Sequence, residues 1–242
     1  MRDDGIVPSR ALGAGRGLAW IREGFALFLG APGRWLMITL LFLLIMTLLG
    51  LIPIVSMLGS LLSPVLVGGL MLACRSQERE DRLRVADLFA GFQQRPLDLV
   101  KAGLLYLGLV LAVSLLMFLL IAVLGLAGTV GGAESATPQL SAGLLIVVAL
   151  GSLAILPVVM GFIFSPPLLV FNRELGVVNA YKSSFYACLK NIWPFTLFSL
   201  LIVLLCFLAM IPLGLGLFVL LPTLFGATYR AYVDMFEEGN IL

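Results

Sequence analysis

The sequence contains no histidine and only three cysteines, Cys74, Cys188 and Cys206. Without histidine there is no imidazole general base, no His-ligated metal and no His-held haem. The cysteines form no CxxC pair, so a thiolate metal site or redox dithiol lacks its usual spacing. Charge is scarce too, 12% of the chain against about 25% in a soluble domain. None of it interrupts the runs Trp35 to Cys74, Ala102 to Ala133, Ser135 to Asn172 or Asn191 to Tyr229. Intramembrane charge marks proton relays and ion coupling. Its absence argues against an ion-driven pump and against hydrolysis at mid-membrane. No glycine-rich phosphate loop, oriented nucleophile or nucleic-acid signature is present. The expectation is a protein that is not an enzyme and uses no metal or cofactor.

What is there is apolar sequence. A spanning helix needs about 20 apolar residues, and each of the four runs exceeds that. The chain reads as a multi-pass, all-α membrane protein. The opening stretch is charged and broken by Gly and Pro, and the first apolar run is longer than the ~7–15 residues of a signal-peptide core. Residues 1–14 are expected to be a flexible cytoplasmic tail. Residues 15–242 are expected to be a single polytopic membrane domain.

Lys and Arg resist translocation and mark the cytoplasmic side. The 15 of them fall in four clusters: Arg2 to Arg34, Arg75 to Lys101, Arg173 to Lys190, and Arg230. If every cluster is cytoplasmic, each gap holds an even number of crossings. The segments "IPIVSMLG", "TVGGAESATPQLS" and "IPLGLG" supply turns at the far side. The result is six transmembrane helices, at about 35–52, 57–75, 101–127, 142–172, 194–211 and 215–231, with both termini cytoplasmic. Residues 142–156 are either a kinked extension of the fourth span or a separate piece in the outer leaflet.

The clusters resemble one another. Each of the first three holds an amphipathic segment with helical spacing: Leu18, Ile21, Phe25 and Phe28; Val85, Leu88, Phe89 and Phe92; Val178, Tyr181, Phe185, Leu189 and Ile192. A small residue precedes phenylalanine each time (Gly24, Gly91, Ser184). A proline comes next, before the first span (Pro32, Pro96, Pro194), another falls late (Pro53, Pro157, Pro212), and a third falls in the second span (Pro64, Pro166, Pro222). The expected architecture is three parallel pseudo-repeats of amphipathic interfacial helix plus helical hairpin, at about 17–76, 84–174 and 176–237.

Two sets of candidate residues emerge. Trp20, Arg22, Phe25, Phe92, Lys182, Phe185 and Lys190 are placed to meet membrane lipids, aromatic rings in the headgroup layer and cations on anionic lipid. Ser63, Pro64, Ser165, Pro166, Pro222 and Thr223 mark kinks whose freed carbonyls need a protein, hydroxyl or water partner. These kinks either gather around a pseudo-threefold axis or face separate neighbours. The charged run Arg75 to Phe89 is either a solvated, internally paired loop or a dock for a cytosolic partner.

The segments "VPSRALGAGRGLAWIREGFALF", "PVLVGGLMLACR", "LFAGF" and "NAYKSSFYACLKNIWPF" resemble a proteobacterial family of multi-pass inner-membrane proteins of unknown function. The pattern of interfacial helix and hairpin is more distantly similar to the membrane domain of some glycerophosphodiester phosphodiesterases, whose catalytic barrel is absent. The resemblance implies the bacterial inner membrane and carries no site residue. The function expected is a scaffold or accessory subunit engaging lipids, a membrane-protein partner or a second copy, with no nucleic acid. The alternative is a channel or facilitator for a small or amphipathic solute.

Overall fold

Three times along the chain an amphipathic segment stops and an apolar helix begins with a proline in its first turn. The computed structural model describes residues 5–51, 53–80, 82–130 and 136–237. Helix α1 (Arg16–Gly30) buries Gly17, Trp20, Ile21, Gly24 and Phe28, one stripe at helical spacing. Ala31 leaves the helix at φ −153°, ψ 61°, and Pro32 starts α2 (Pro32–Gly50). Proline disfavours helix in the residue before it and suits the first helical position, where no N–H is needed. Helix α3 (Pro53–Glu80) comes next, with Pro64 inside it.

The second amphipathic segment is a 3₁₀ turn (Val85–Phe89) and α4 (Gly91–Gln94). Arg95 turns at φ −144°, ψ 60°, and Pro96 opens α5 (Pro96–Val130). Then come α6 (Ala136–Ile163), α7 (Ser165–Phe171) and the third amphipathic helix, α8 (Val177–Lys190). Asn191 bends at φ −114°, ψ 35° into α9 (Ile192–Met210), which has Pro194 in its first turn. Helix α10 (Leu217–Tyr232) runs into a π-helical turn, Val233–Glu237.

Among the described residues, five helical stretches are long and apolar enough to cross a membrane: Pro32–Gly50, Gly59–Arg79, Pro96–Val123, Leu144–Phe171 and Ile192–Met210. Exposed apolar side chains such as Leu115, Phe118, Leu145, Leu153 and Phe207 cover their outer faces. Surface of that extent suits lipid, where helices satisfy their own backbone. The sixth expected span falls on α10, which is not among these five: its 16 residues reach only ~24 Å, less than the ~30 Å hydrocarbon core. The turn before it places Leu213 at φ 54° and Gly214 at φ 80°, and this unwound stretch shortens the helix.

Residues 142–156 and Pro157 lie in one unbroken helix, α6, which runs on to Ile163. The break comes instead at Phe164, φ −105°, ψ 0°. Its cause is α8. The Ser184 hydroxyl accepts the Phe164 N–H at 3.1 Å and donates to the Met160 carbonyl at 2.6 Å. A side chain inserted into the backbone ladder bends a helix.

The other two amphipathic segments cross their partners at a matching place. Gly24 of α1 lies against the Thr223 carbonyl and Ala227 nitrogen of α10, and Gly91 against the Val65 carbonyl and Gly69 nitrogen of α3. In all three crossings a small residue sits over a carbonyl and the nitrogen four residues on. Each segment thus packs on the second helix of the hairpin before it, and α1 closes the circle on α10.

The expected free tail is held down from Val7 onward. The Val7 N–H donates to Ser183 Oγ at 2.9 Å and the Leu12 N–H to Asn191 Oδ1 at 2.8 Å. Asn191 Nδ2 donates to the Arg10 carbonyl at 2.9 Å, and the Arg10 N–H to the Met235 carbonyl at 2.9 Å. The strap therefore ties α8 to the C-terminal turn.

Candidate functional site

The most polar part of the structure lies where α1, α3 and the end of α10 meet. Asp234, on the π-helical turn, is 1% exposed. Its Oδ2 accepts from Arg16 Nε at 2.7 Å, from Arg16 Nη2, and from Trp20 Nε1 at 2.7 Å. Its Oδ1 is buried with no partner among the described residues. Burial opposes the Arg16 charge, but the hydrogen bond to Asp234 and the nearby carboxylates of Asp234 and Glu23 outweigh it and raise the guanidinium pKa.

The pairing continues outward. Arg16 meets Glu23 at 3.1 Å, and Glu23 accepts from Arg230 Nε at 2.7 Å. Arg230 also pairs with Glu78, which accepts the Tyr229 hydroxyl at 2.7 Å. Arg75 and Arg79 both reach Glu237, the latter at 3.6 Å. The half-exposed members contribute little each. Asp234 differs, because removing one partner of a buried pair costs about 3–5 kcal/mol. The network is a clasp between α1, α3 and the C-terminal turn. Nothing in it orients a nucleophile.

Of the charged run, Arg75, Glu78 and Arg79 pair across the fold, with the C-terminal turn and α10, while Asp87 accepts from the Arg84 N–H within the run. The signal was present in the sequence, since Arg75, Glu78 and Arg79 repeat at helical spacing, as do Arg230, Asp234 and Glu237.

The interfacial candidates divide. Arg22, Lys182 and Lys190 are exposed, Lys190 Nζ donating to the Ser9 carbonyl at 2.5 Å. Phe25 and Phe92 are exposed, and Phe185 is half-buried. Trp20 is a correction: it is wholly buried, because its N–H serves Asp234 and its ring packs on Phe195 and Phe198 at 5.2 and 5.9 Å.

The kink candidates are buried or half-buried but do not line one path. Ser63 lines a cavity of about 300 Å³ with Ser60, Tyr106 and Phe162. Pro64 lies beside Gly103 of α5. The Ser165 hydroxyl donates to Gly161 and the Thr223 hydroxyl to Val219, each on the preceding turn. Pro222 is interior to α10. Pro166 is a second correction: it stands in the first turn of α7, because the helix has already broken at Phe164. Where α3, α7 and α10 meet, the filling is aromatic. Phe171 lies 6.3 Å from Tyr229 and 5.1 Å from Tyr232, with the Arg75 guanidinium over its ring.

A protein of Burkholderia thailandensis named as a probable inner membrane protein is 29% identical over 228 residues, covering 90% of this chain and 82% of that one. No family model and no solved structure matches. The comparisons thus lend no support to the glycerophosphodiester phosphodiesterase likeness.

Proposed function

We propose that the chain is a non-enzymatic protein of the bacterial inner membrane, a scaffold or accessory subunit that engages anionic lipid at its cytoplasmic rim. The observation that carries this is two-faced: the amphipathic segments anchor one side in neighbouring helices and leave Arg22, Phe25, Phe92, Lys182 and Lys190 outward. The similar protein's name supports the location. Three like-oriented hairpins, with α10 as a short sixth span and both termini cytoplasmic, fit the repeated hinges at Ala31, Arg95 and Asn191 and the three matched crossings. A membrane-protein partner or a second copy is the other occupant proposed for this rim. The solute-channel alternative is disfavoured by the Ser165 and Thr223 hydroxyls, which are buried and bonded one turn back to the Gly161 and Val219 carbonyls.

The test is lipid retention. Full-length protein extracted from mixed membranes carries phosphatidylglycerol in preference to phosphatidylcholine. A basic side chain near an anionic surface contributes about 1 kcal/mol, so Arg22→Gln/Lys182→Gln/Lys190→Gln lowers that preference at least about tenfold. An unchanged preference would overturn the lipid reading.

A further inference from the structure

Most arginines at the polar rim are committed. Arg16, Arg75, Arg79 and Arg230 belong to the clasp. Arg95 is bound to Asp98 and to the Asn172 and Leu175 carbonyls. Three others, Arg34, Arg82 and Arg84, are exposed and pair with no carboxylate among the described residues. These three line one cavity of about 510 Å³, together with Leu83 and Val85 among the described residues. The nearby Asp87 turns its Oδ2 to the Arg84 backbone N–H at 2.8 Å. The side chains of Glu80 and Asp81 lie outside the described residues.

The position of Arg34 says what kind of anion fits. It stands in the first turn of α2, at the foot of an apolar stripe: Met37, Leu40, Leu44 and Leu48 are 58, 52, 55 and 55% exposed. Spacings of three and four residues keep them on one helix face. From Arg34 to Leu44 the helix rises ~15 Å, half of the ~30 Å hydrocarbon core. A cationic pocket thus sits at headgroup depth with a leaflet-deep apolar track above it. Guanidinium forks match phosphate oxygens better than a point charge does.

We propose that Arg34, Arg82 and Arg84 form a site for the phosphate of one anionic phospholipid, whose acyl chain lies on the Met37–Leu48 stripe of α2. The site deepens the lipid reading above by naming a residue set separate from Arg22, Lys182 and Lys190. A free phosphate ion offers the same headgroup chemistry without the chain, and the test separates the two.

The experiment is native mass spectrometry of the full chain with added phosphatidylglycerol, phosphatidylcholine or inorganic phosphate. The unaltered protein keeps one tightly held phosphatidylglycerol that phosphatidylcholine does not replace. Arg34→Gln/Arg82→Gln/Arg84→Gln weakens that site at least about tenfold, at about 1 kcal/mol per basic side chain, while the Arg22/Lys182/Lys190 variant retains it. Replacing the three arginines with lysine restores part of the affinity, which a merely misfolded variant would not show. Met37→Gln/Leu40→Gln weakens phosphatidylglycerol and leaves inorganic phosphate binding unchanged. Equal retention by the three-glutamine variant, or displacement of the lipid by millimolar inorganic phosphate, would overturn the proposal. If both variant sets were silent, the rim reading would fall with it. If only the pocket set were silent, the rim reading would stand.

Discussion

Cys188 is a group whose behaviour is set by its surroundings. It lies on the buried side of α8, with its sulfur 3.6 Å from the Met160 carbonyl, and burial pushes the thiol from 9.0 up to about 12. The fold favours the neutral form. That contribution is complete below the unfolded value and is lost as pH rises from 9.0 towards 12. Iodoacetamide at about pH 8, near the ordinary thiol pKa, is therefore expected to leave Cys188 unmodified in the native protein and to alkylate it after denaturation. Thermal stability in detergent is expected to fall less steeply over the alkaline window in Cys188→Ala than in the unaltered chain. Native alkylation of Cys188 at that pH would contradict its burial. Trp20 carries the same lesson about the sequence. It lies outside the expected stripe of Leu18, Ile21, Phe25 and Phe28, and in the sequence a tryptophan facing lipid and one serving Asp234 look alike. Only the pairing of residues more than two hundred positions apart decides between them.

The crossings govern the elements. A Cβ at Gly24 would meet backbone atoms of Thr223 and Ala227, whereas one at Gly108 would meet nothing within 4 Å. Backbone cannot give way as a side-chain tip can, so overpacking there costs at least the typical 1–3 kcal/mol, about 2 kcal/mol or more. Gly24→Ala is expected to lower the melting temperature clearly in a circular-dichroism melt, and Gly108→Ala to leave it unchanged or slightly raised, since alanine favours helix. Similar melts for the two would show that the α1–α10 crossing is looser than described. Much of this level was legible in the sequence. The amphipathic period, the prolines at Pro32 and Pro96, and the glycine or serine before phenylalanine located the segments and the joins. What the small residue is for was not legible, because it acts on a helix of a different hairpin. Nor was the break at Phe164, which a hydroxyl on α8 produces and which the nearby Pro157 does not. The kink prolines left open a shared axis or separate neighbours, and nothing local decides between these; the hydroxyls beside two of them turn back one turn, to the Gly161 and Val219 carbonyls.

For the whole molecule, polar and apolar parts are segregated end to end. The clasp, the N-terminal strap and the amphipathic segments lie at one end of the apolar helices, and the turns near Leu51 and Leu213 lie at the other. Leu213 is 96% exposed, as a tip between α9 and α10 should be. The weakest link is α10, too short to span alone at full bilayer thickness; a short span is accommodated by local thinning at fractions of a kcal/mol per Å. The most direct measurement is the sidedness of single cysteines. In a chain with its native cysteines replaced by alanine, cysteine is placed at Arg22, Arg84 and Lys182, and separately at Leu51, Glu134 and Leu213. A membrane-impermeant maleimide is then added to cells with a permeabilised outer membrane. The account predicts labelling at Leu51, Glu134 and Leu213 only. Labelling at Arg22, Arg84 or Lys182 from that side, or protection of Leu213, would contradict it.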